Sequence, residues 1–131
     1  MKYAYPAIFT PEEDGGFSVV FPDLESCYTC GDNMADALIM AEDVLALTLY
    51  GYEKEHRVIP APSQRKEIDT EDDESFVNFV SCDTLEYRKK FSNKAVKKTL
   101  TIPTWLNEMA IESNVNFSTV LQEALKKHLG L

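Results

Sequence analysis

The chain has 131 residues, of which 44% are hydrophobic, and a formal net charge of −9. That length holds one ordinary domain, or a small domain with a short module attached. It has no apolar run long enough to span a bilayer, and Met1 to Tyr5 lacks the basic start and apolar stretch of a secretory leader. An odd number of cysteines, three, argues against a disulfide framework, so the expected setting is the cytoplasm.

Residues 2–9 alternate, with Tyr3, Tyr5, Ala7 and Phe9 on one face and Lys2, Ala4 and Ile8 on the other, which predicts a strand. Pro6 has no N–H to donate and is expected at an edge or an irregularity. The turn Pro11-Glu12-Glu13-Asp14-Gly15-Gly16 leads into a returning strand, Phe17 to Phe21, ended by Pro22-Asp23. Residues 26–30 read as a short third strand. The Cys27-Tyr28-Thr29-Cys30 pair lacks the second pair or the spaced histidines a zinc site needs, so no metal, cofactor or catalytic residue is expected. Asn33 is a good N-cap, and Asp36 lies where the helix dipole favours negative charge. Met34, Leu38, Ala41, Leu45 and Leu49 then recur at helical spacing, predicting a helix over 34–50 with Gly51 as its stop. Its stripe would cover a three-stranded sheet in a compact α+β arrangement.

Residues 52–75 read as loop, extended at Ile59-Pro60-Ala61-Pro62-Ser63 and acidic from Thr70 to Ser75. Phe76 to Cys82 is a fourth strand, apolar enough for the inside of a sheet. Thr84 to Asn93 reads as a short helix or linker, and a boundary near Asn93 divides the chain into residues 1–92 and 93–131. The first part carries 8 Lys/Arg against 19 Asp/Glu, a net of −11, and the second 5 against 3, a net of +2. An acidic body repels nucleic acid and a mildly basic tail tolerates it, so the two parts are expected to have partners of different kinds.

Val96 to Pro103 alternates, with Leu100 and Ile102 on one face and Lys97, Thr99 and Thr101 on the other. Pro103 opens a helix carrying Trp105, Leu106, Met109 and Ala110, Asn114 suits a left-handed turn, and Asn116 caps a second helix. On that helix Phe117, Val120, Leu121, Ala124, Leu125 and Leu129 form an unbroken stripe, ended at Gly130. One strand and two short helices cannot bury this much apolar surface alone. A dimer that pairs the two strands can, and the resulting ribbon fits the DNA major groove. Lys97, Thr99 and Thr101 would then meet base edges. Lys94 and Lys98, with the N–H groups near Asn116, Phe117 and Ser118, would hold phosphates.

Lys97-Lys98-Thr99-Leu100-Thr101-Ile102-Pro103, followed by Asn116-Phe117-Ser118 and Leu121-Gln122-Glu123-Ala124-Leu125, resembles a ribbon-helix-helix domain. Upstream, Tyr5-Pro6-Ala7, Gly16-Phe17-Ser18-Val19, Phe21-Pro22-Asp23-Leu24, Cys27-Tyr28-Thr29 and Ile59-Pro60-Ala61-Pro62-Ser63 resemble the HicB antitoxin family. Ser26 and Cys30 depart mildly from that pattern. The resemblance implies a degenerate, partial RNase H-like domain over 1–92 that binds and blocks a HicA-type toxin, a small basic ribonuclease. It also implies a ribbon-helix-helix domain over 93–131 that forms a homodimer, or a higher oligomer, and represses its own promoter by binding operator DNA. Charge alone points to Glu12, Glu13 and Asp14, with Glu71, Asp72, Asp73 and Glu74, as the toxin-facing residues.

Two other readings are weighed against this one. A nuclease would need carboxylates such as Asp14, Asp23, Asp32, Asp36 and Asp43 to converge on a metal. A ligand-sensing ribbon-helix-helix regulator without a toxin partner would line a pocket with Tyr3, Tyr5, Phe9, Phe17 and Phe21.

Overall fold

The computed structural model describes residues 1–131. They form two compact units, Met1–Lys94 and Ala95–Leu131. In the first, strands β1 (Lys2–Pro11), β2 (Phe17–Val20), β3 (Tyr28–Gly31) and β4 (Phe76–Asp83) make one antiparallel sheet of order β3-β2-β1-β4. Helix α1 (Met34–Lys54) covers one face, and α2 (Thr84–Phe91) follows β4 directly. The alternation of β1 sends Tyr5, Ala7 and Phe9 into the core with Val19, Phe21, Val80 and Cys82, and α1 closes over them with Ala37, Ala41, Leu45 and Leu49.

The β1–β2 hairpin is closed by Glu12 N–H donating to the Gly16 carbonyl (2.8 Å), with Gly15 at φ +89°. Asn33 caps α1 by accepting from Asp36 N–H (2.9 Å), while the Asp36 carboxylate accepts from Asp32 N–H (2.8 Å). The exchange satisfies two donors at a helix end that has no carbonyls to offer them.

Four local expectations need correction. Helix α1 does not stop at Gly51 but continues to Lys54, with Glu55 as C-cap. A mid-helix glycine costs about 1 kcal/mol, and the next turn offsets it by burying Tyr52 and aiming Glu53 at three hydroxyl or guanidinium donors. Leu38 is exposed and Ala37 buried, so the stripe runs through Ala37, Ala41, Leu45, Leu49 and Tyr52. Strand β4 lies at an edge of the sheet, with Val80 and Cys82 turned inward and Phe79 outward. Strand β1, expected to be at an edge or irregular at Pro6, is central. Its pairing with β2 begins only at Ile8, however, so Pro6 sits where β1 has β4 as its one neighbour.

Small residues let α1 sit close to the sheet. A Cβ on Gly31 would fall on the backbone N and Cα of Ala37 in the first turn of α1. At Gly51 the same atom would meet nothing.

The second unit contains α3 (Thr104–Glu112) and α4 (Phe117–Leu129). Asn114 takes a left-handed φ of 53°, Asn116 caps α4 by accepting from Thr119 N–H (3.1 Å), and Gly130 ends it at φ 74°. The expected strand at 96–103 pairs with nothing in this chain and has no regular secondary structure.

The contrast between the two glycines is testable by urea denaturation. Gly31→Ala is expected to lower stability by about 3 kcal/mol through overpacking against backbone. Gly51→Ala is expected to raise it by about 0.5–1 kcal/mol.

Candidate functional site

Every apolar side chain of the second unit reaches solvent: α3 and α4 contain no buried residue. Leu100, Ile102, Leu106, Met109 and Val120 line an open hollow of about 850 Å³ on this unit. Segments this short seldom supply a sufficient core by themselves. On the same unit Lys97, Lys98, Thr99 and Thr101 are all exposed, as is Lys94 at the end of the first unit. Asn116, Phe117 and Ser118 stand at the start of α4, where the Asn116 side chain occupies Thr119 N–H.

In the first unit the fold brings together two acidic segments that are far apart in sequence. Glu12, Glu13 and Asp14 lie in the hairpin that follows Pro11, and Glu71 to Glu74 lead into Phe76, which pairs with Phe9. The hydroxyls of Thr10 and Ser75 join the two at 2.9 Å. All seven carboxylates are exposed at one end of the sheet. Asp14 accepts from Gly16 N–H (2.9 Å), and Asp72 accepts from Ser75 N–H (2.7 Å) and Glu74 N–H (3.0 Å). The bonds from Ser75 hold the Asp72 carboxyl below its ordinary range.

Three of the five carboxylates a nuclease would need, Asp14, Asp23 and Asp36, have local structural tasks. Asp23 accepts from the backbone N–H of Ser63 (2.9 Å) and from its hydroxyl, tying the proline segment to the end of β2. Asp14 and Asp36 hold the turns described above, and no three His, Cys, Asp or Glu side chains gather as a metal would require. Of the aromatic residues that a ligand pocket would use, Tyr5, Phe9 and Phe21 are fully buried in the core. The Tyr5 hydroxyl donates to the Pro60 carbonyl.

Sequence reasoning missed Glu53, which joins three elements. It accepts from the Tyr3 hydroxyl of β1 (2.8 Å), from the Thr84 hydroxyl at the start of α2 (2.8 Å) and from Arg88 (3.3 Å). Burial, followed by the bond to Glu53, pushes the Tyr3 hydroxyl up to about 12. A stack of Tyr50, Tyr87 and Phe91 continues the α1–α2 contact, with ring centroids 5.6 and 4.6 Å apart. The signal for Glu53 lay in a helix extending one turn past Gly51.

The family model described as HicB-like antitoxin of bacterial toxin–antitoxin system matches residues 4–77. Antitoxin HicB 2 of Photorhabdus laumondii is 30% identical over 131 residues, covering 97% of this chain and 94% of that protein. A solved toxin–antitoxin complex from Streptococcus pneumoniae contains a chain 31% identical to this one. It superposes with a TM-score of 0.63 over 98% of this chain and 99% of that one. A HicA3 and HicB3 toxin–antitoxin complex, at 24% identity and a TM-score of 0.51, covers 62% of this chain and 99% of its own, and shares the fold. The chain belongs to the HicB-like family of antitoxins of bacterial toxin–antitoxin systems.

The cysteines differ sharply in environment. Cys27 is buried, accepts from the Thr48 hydroxyl (3.4 Å) and faces the Val44 carbonyl (3.9 Å), whereas Cys30 is exposed. Burial raises the Cys27 thiol, against the Thr48 bond. At Cys82, burial followed by Glu42, Asp83 and Glu53 pushes the thiol up to about 12. Iodoacetamide at pH 8 is expected to label Cys30 alone in the folded protein, with Cys27 and Cys82 reacting only in denaturant. Mass spectrometry of peptides from the two conditions checks this, and rapid native labelling of Cys82 would contradict it.

Proposed function

We propose that this chain is an antitoxin and autorepressor. Residues 1–92 bind and neutralise a HicA-type toxin, and residues 93–131 dimerise as a ribbon-helix-helix domain on promoter DNA. The observation that carries the reading is the contrast between the two units. One has a complete core and a strongly acidic surface. The other has one well-capped helix (α4), basic and hydroxyl residues on an unpaired alternating segment, and helices with no buried residue.

A relative of the same fold was solved as a complex of HicA3 with HicB3. An acidic body suits a basic ribonuclease, because complementary potentials speed encounter and disfavour wrong partners. The carboxylates at 12–14 and 71–74 contribute to that field.

In the second unit, pairing Val96 to Pro103 with the same segment of another copy satisfies backbone groups that have no partner within the chain. It also covers the hollow formed by Leu100, Ile102 and Val120. The outward trio Lys97, Thr99 and Thr101 then enters the major groove. Lys94 and Lys98 meet phosphates, as do the N–H groups at the start of α4, near Asn116, Phe117 and Ser118.

Two measurements test the reading. Capture of the tagged full chain from its native cells, followed by mass spectrometry, is expected to return one stoichiometric small basic protein. Recovery of no such partner would remove the antitoxin half. Thr99→Ala with Thr101→Ala is expected to weaken operator binding tenfold or more, each base contact contributing about 1–3 kcal/mol, with toxin capture intact. Normal operator binding by that variant would refute the contact assignment.

A further inference from the structure

A groove of about 360 Å³ lies between α1 and the end of β4 with the α2 that follows it. Its apolar margins are Ile39, which is 67% exposed, and Phe91, 58% exposed. Neither belongs to the core stripe of its helix. Isolated surface apolar residues are ordinary, but these two flank a single concavity whose rim carries Glu42, Asp43, Asp83 and Glu86.

Two of the four rim carboxylates have a cation of this chain within 4 Å, and two have none. Glu86 pairs with Lys89 (3.2 Å), and Asp83 lies 3.5 Å from the Met1 amino group, while Glu42 and Asp43 make no ion pair. Lys90, the one cation lining the groove, turns its ammonium over the Phe91 ring (5.3 Å to the centroid) instead of toward a carboxylate. Burial and then Asp43 raise the Tyr87 hydroxyl, and burial and then Glu42 and Asp83 raise the Cys82 thiol.

The acidic end of the sheet near Glu12 to Asp14 is the rival surface. It is richer in charge, but Phe17 is the one large apolar side chain in its hollow. Interfaces draw most of their energy from a few desolvated aromatic, apolar or arginine anchors, while rim charges mainly set the rate of encounter. The groove combines apolar margins on two helices with carboxylates that make no ion pair, whereas at the hairpin end Phe17 and Phe76 pack edge to face on each other.

We propose that the α1–α2 groove is the surface that grips the toxin. It takes a lysine or arginine of the toxin between Glu42, Asp43 and Glu86, and an apolar side chain of the toxin between Ile39 and Phe91. The proposal rests on the antitoxin reading above. The occupant follows from charge complementarity: a body of net −11 with two unpaired carboxylates beside an apolar cleft selects a cationic protein surface over nucleic acid or an acidic peptide.

The test uses the full chain and the small basic protein recovered with it, purified and titrated by calorimetry. The wild-type chain is measured first; absence of binding at that stage overturns the antitoxin reading itself. With wild-type binding in hand, Glu42→Gln/Asp43→Asn/Glu86→Gln and, separately, Ile39→Ala/Phe91→Ala are each expected to raise Kd at least tenfold. The comparison variant Glu25→Gln/Glu55→Gln/Asp69→Asn, with the same loss of charge away from both surfaces, is expected to change Kd less than threefold. All substituted side chains are exposed, and a melting curve for each variant checks its fold. Hydrogen exchange on the wild-type complex supplies a readout free of substitutions, with protection expected over 39–46 and 84–91. Unchanged Kd in both groove variants, or protection confined to the hairpin and residues 71–75, would overturn the groove as the gripping surface.

Discussion

The close seating of α1 on the sheet is the constraint on which the first unit depends. Ala37 and Ala41 bring the helix near enough that Gly31, at the end of β3, has no room for a side chain. Leu45, Leu49 and Tyr52 then fill the space that opens toward the other end of the helix. The result is a graded wedge, small residues at the N-terminus of α1 and large ones at its C-terminus, and it decides which α1 residues remain outside. Ile39, Glu42 and Asp43 lie off the buried stripe because the helix cannot roll without driving a larger side chain onto Gly31.

The other end of α1 is held by polar chemistry. Glu53 gathers donors from β1, the start of α2 and Arg88, and the Tyr50–Tyr87–Phe91 stack carries that contact along α2. Packing therefore sets the distance of α1 from the sheet, and a partly buried carboxylate sets where α2 lies against it. The acidic end of the sheet has a different origin. Antiparallel pairing of β1 with β4 returns residues 71–75 to the β1–β2 hairpin, concentrating like charge beside the Phe9–Phe76 stack.

Much of this was legible in the sequence where a rule is local. The alternation of β1, the Asn33 and Asn116 caps, the left-handed turn at Asn114 and the stop at Gly130 all follow from neighbours within a few residues. What failed was non-local. Gly51 has the chemistry of a helix stop, but the burial of Tyr52 and the donors waiting for Glu53 come from distant parts of the chain. Leu38 outranks Ala37 on any hydrophobicity scale, yet the proximity of Gly31 selects the smaller residue. Pro6 marks a strand with a free side, and only the register shows that β1 is central with one free stretch. The meeting of residues 12–14 with 71–74 is likewise a product of topology, although each segment stood out by its charge. The groove was hidden because its two walls come from helices separated by the whole of β4.

The exposure of the second unit means that the two halves of this chain answer to different laws of mass action. The 1–94 unit buries its apolar residues against one another, so dilution leaves its stability unchanged. The 95–131 unit has no interior of its own, and whatever order it gains from another molecule depends on how many molecules are present. On the proposed dimer, falling abundance therefore acts first on the 95–131 unit.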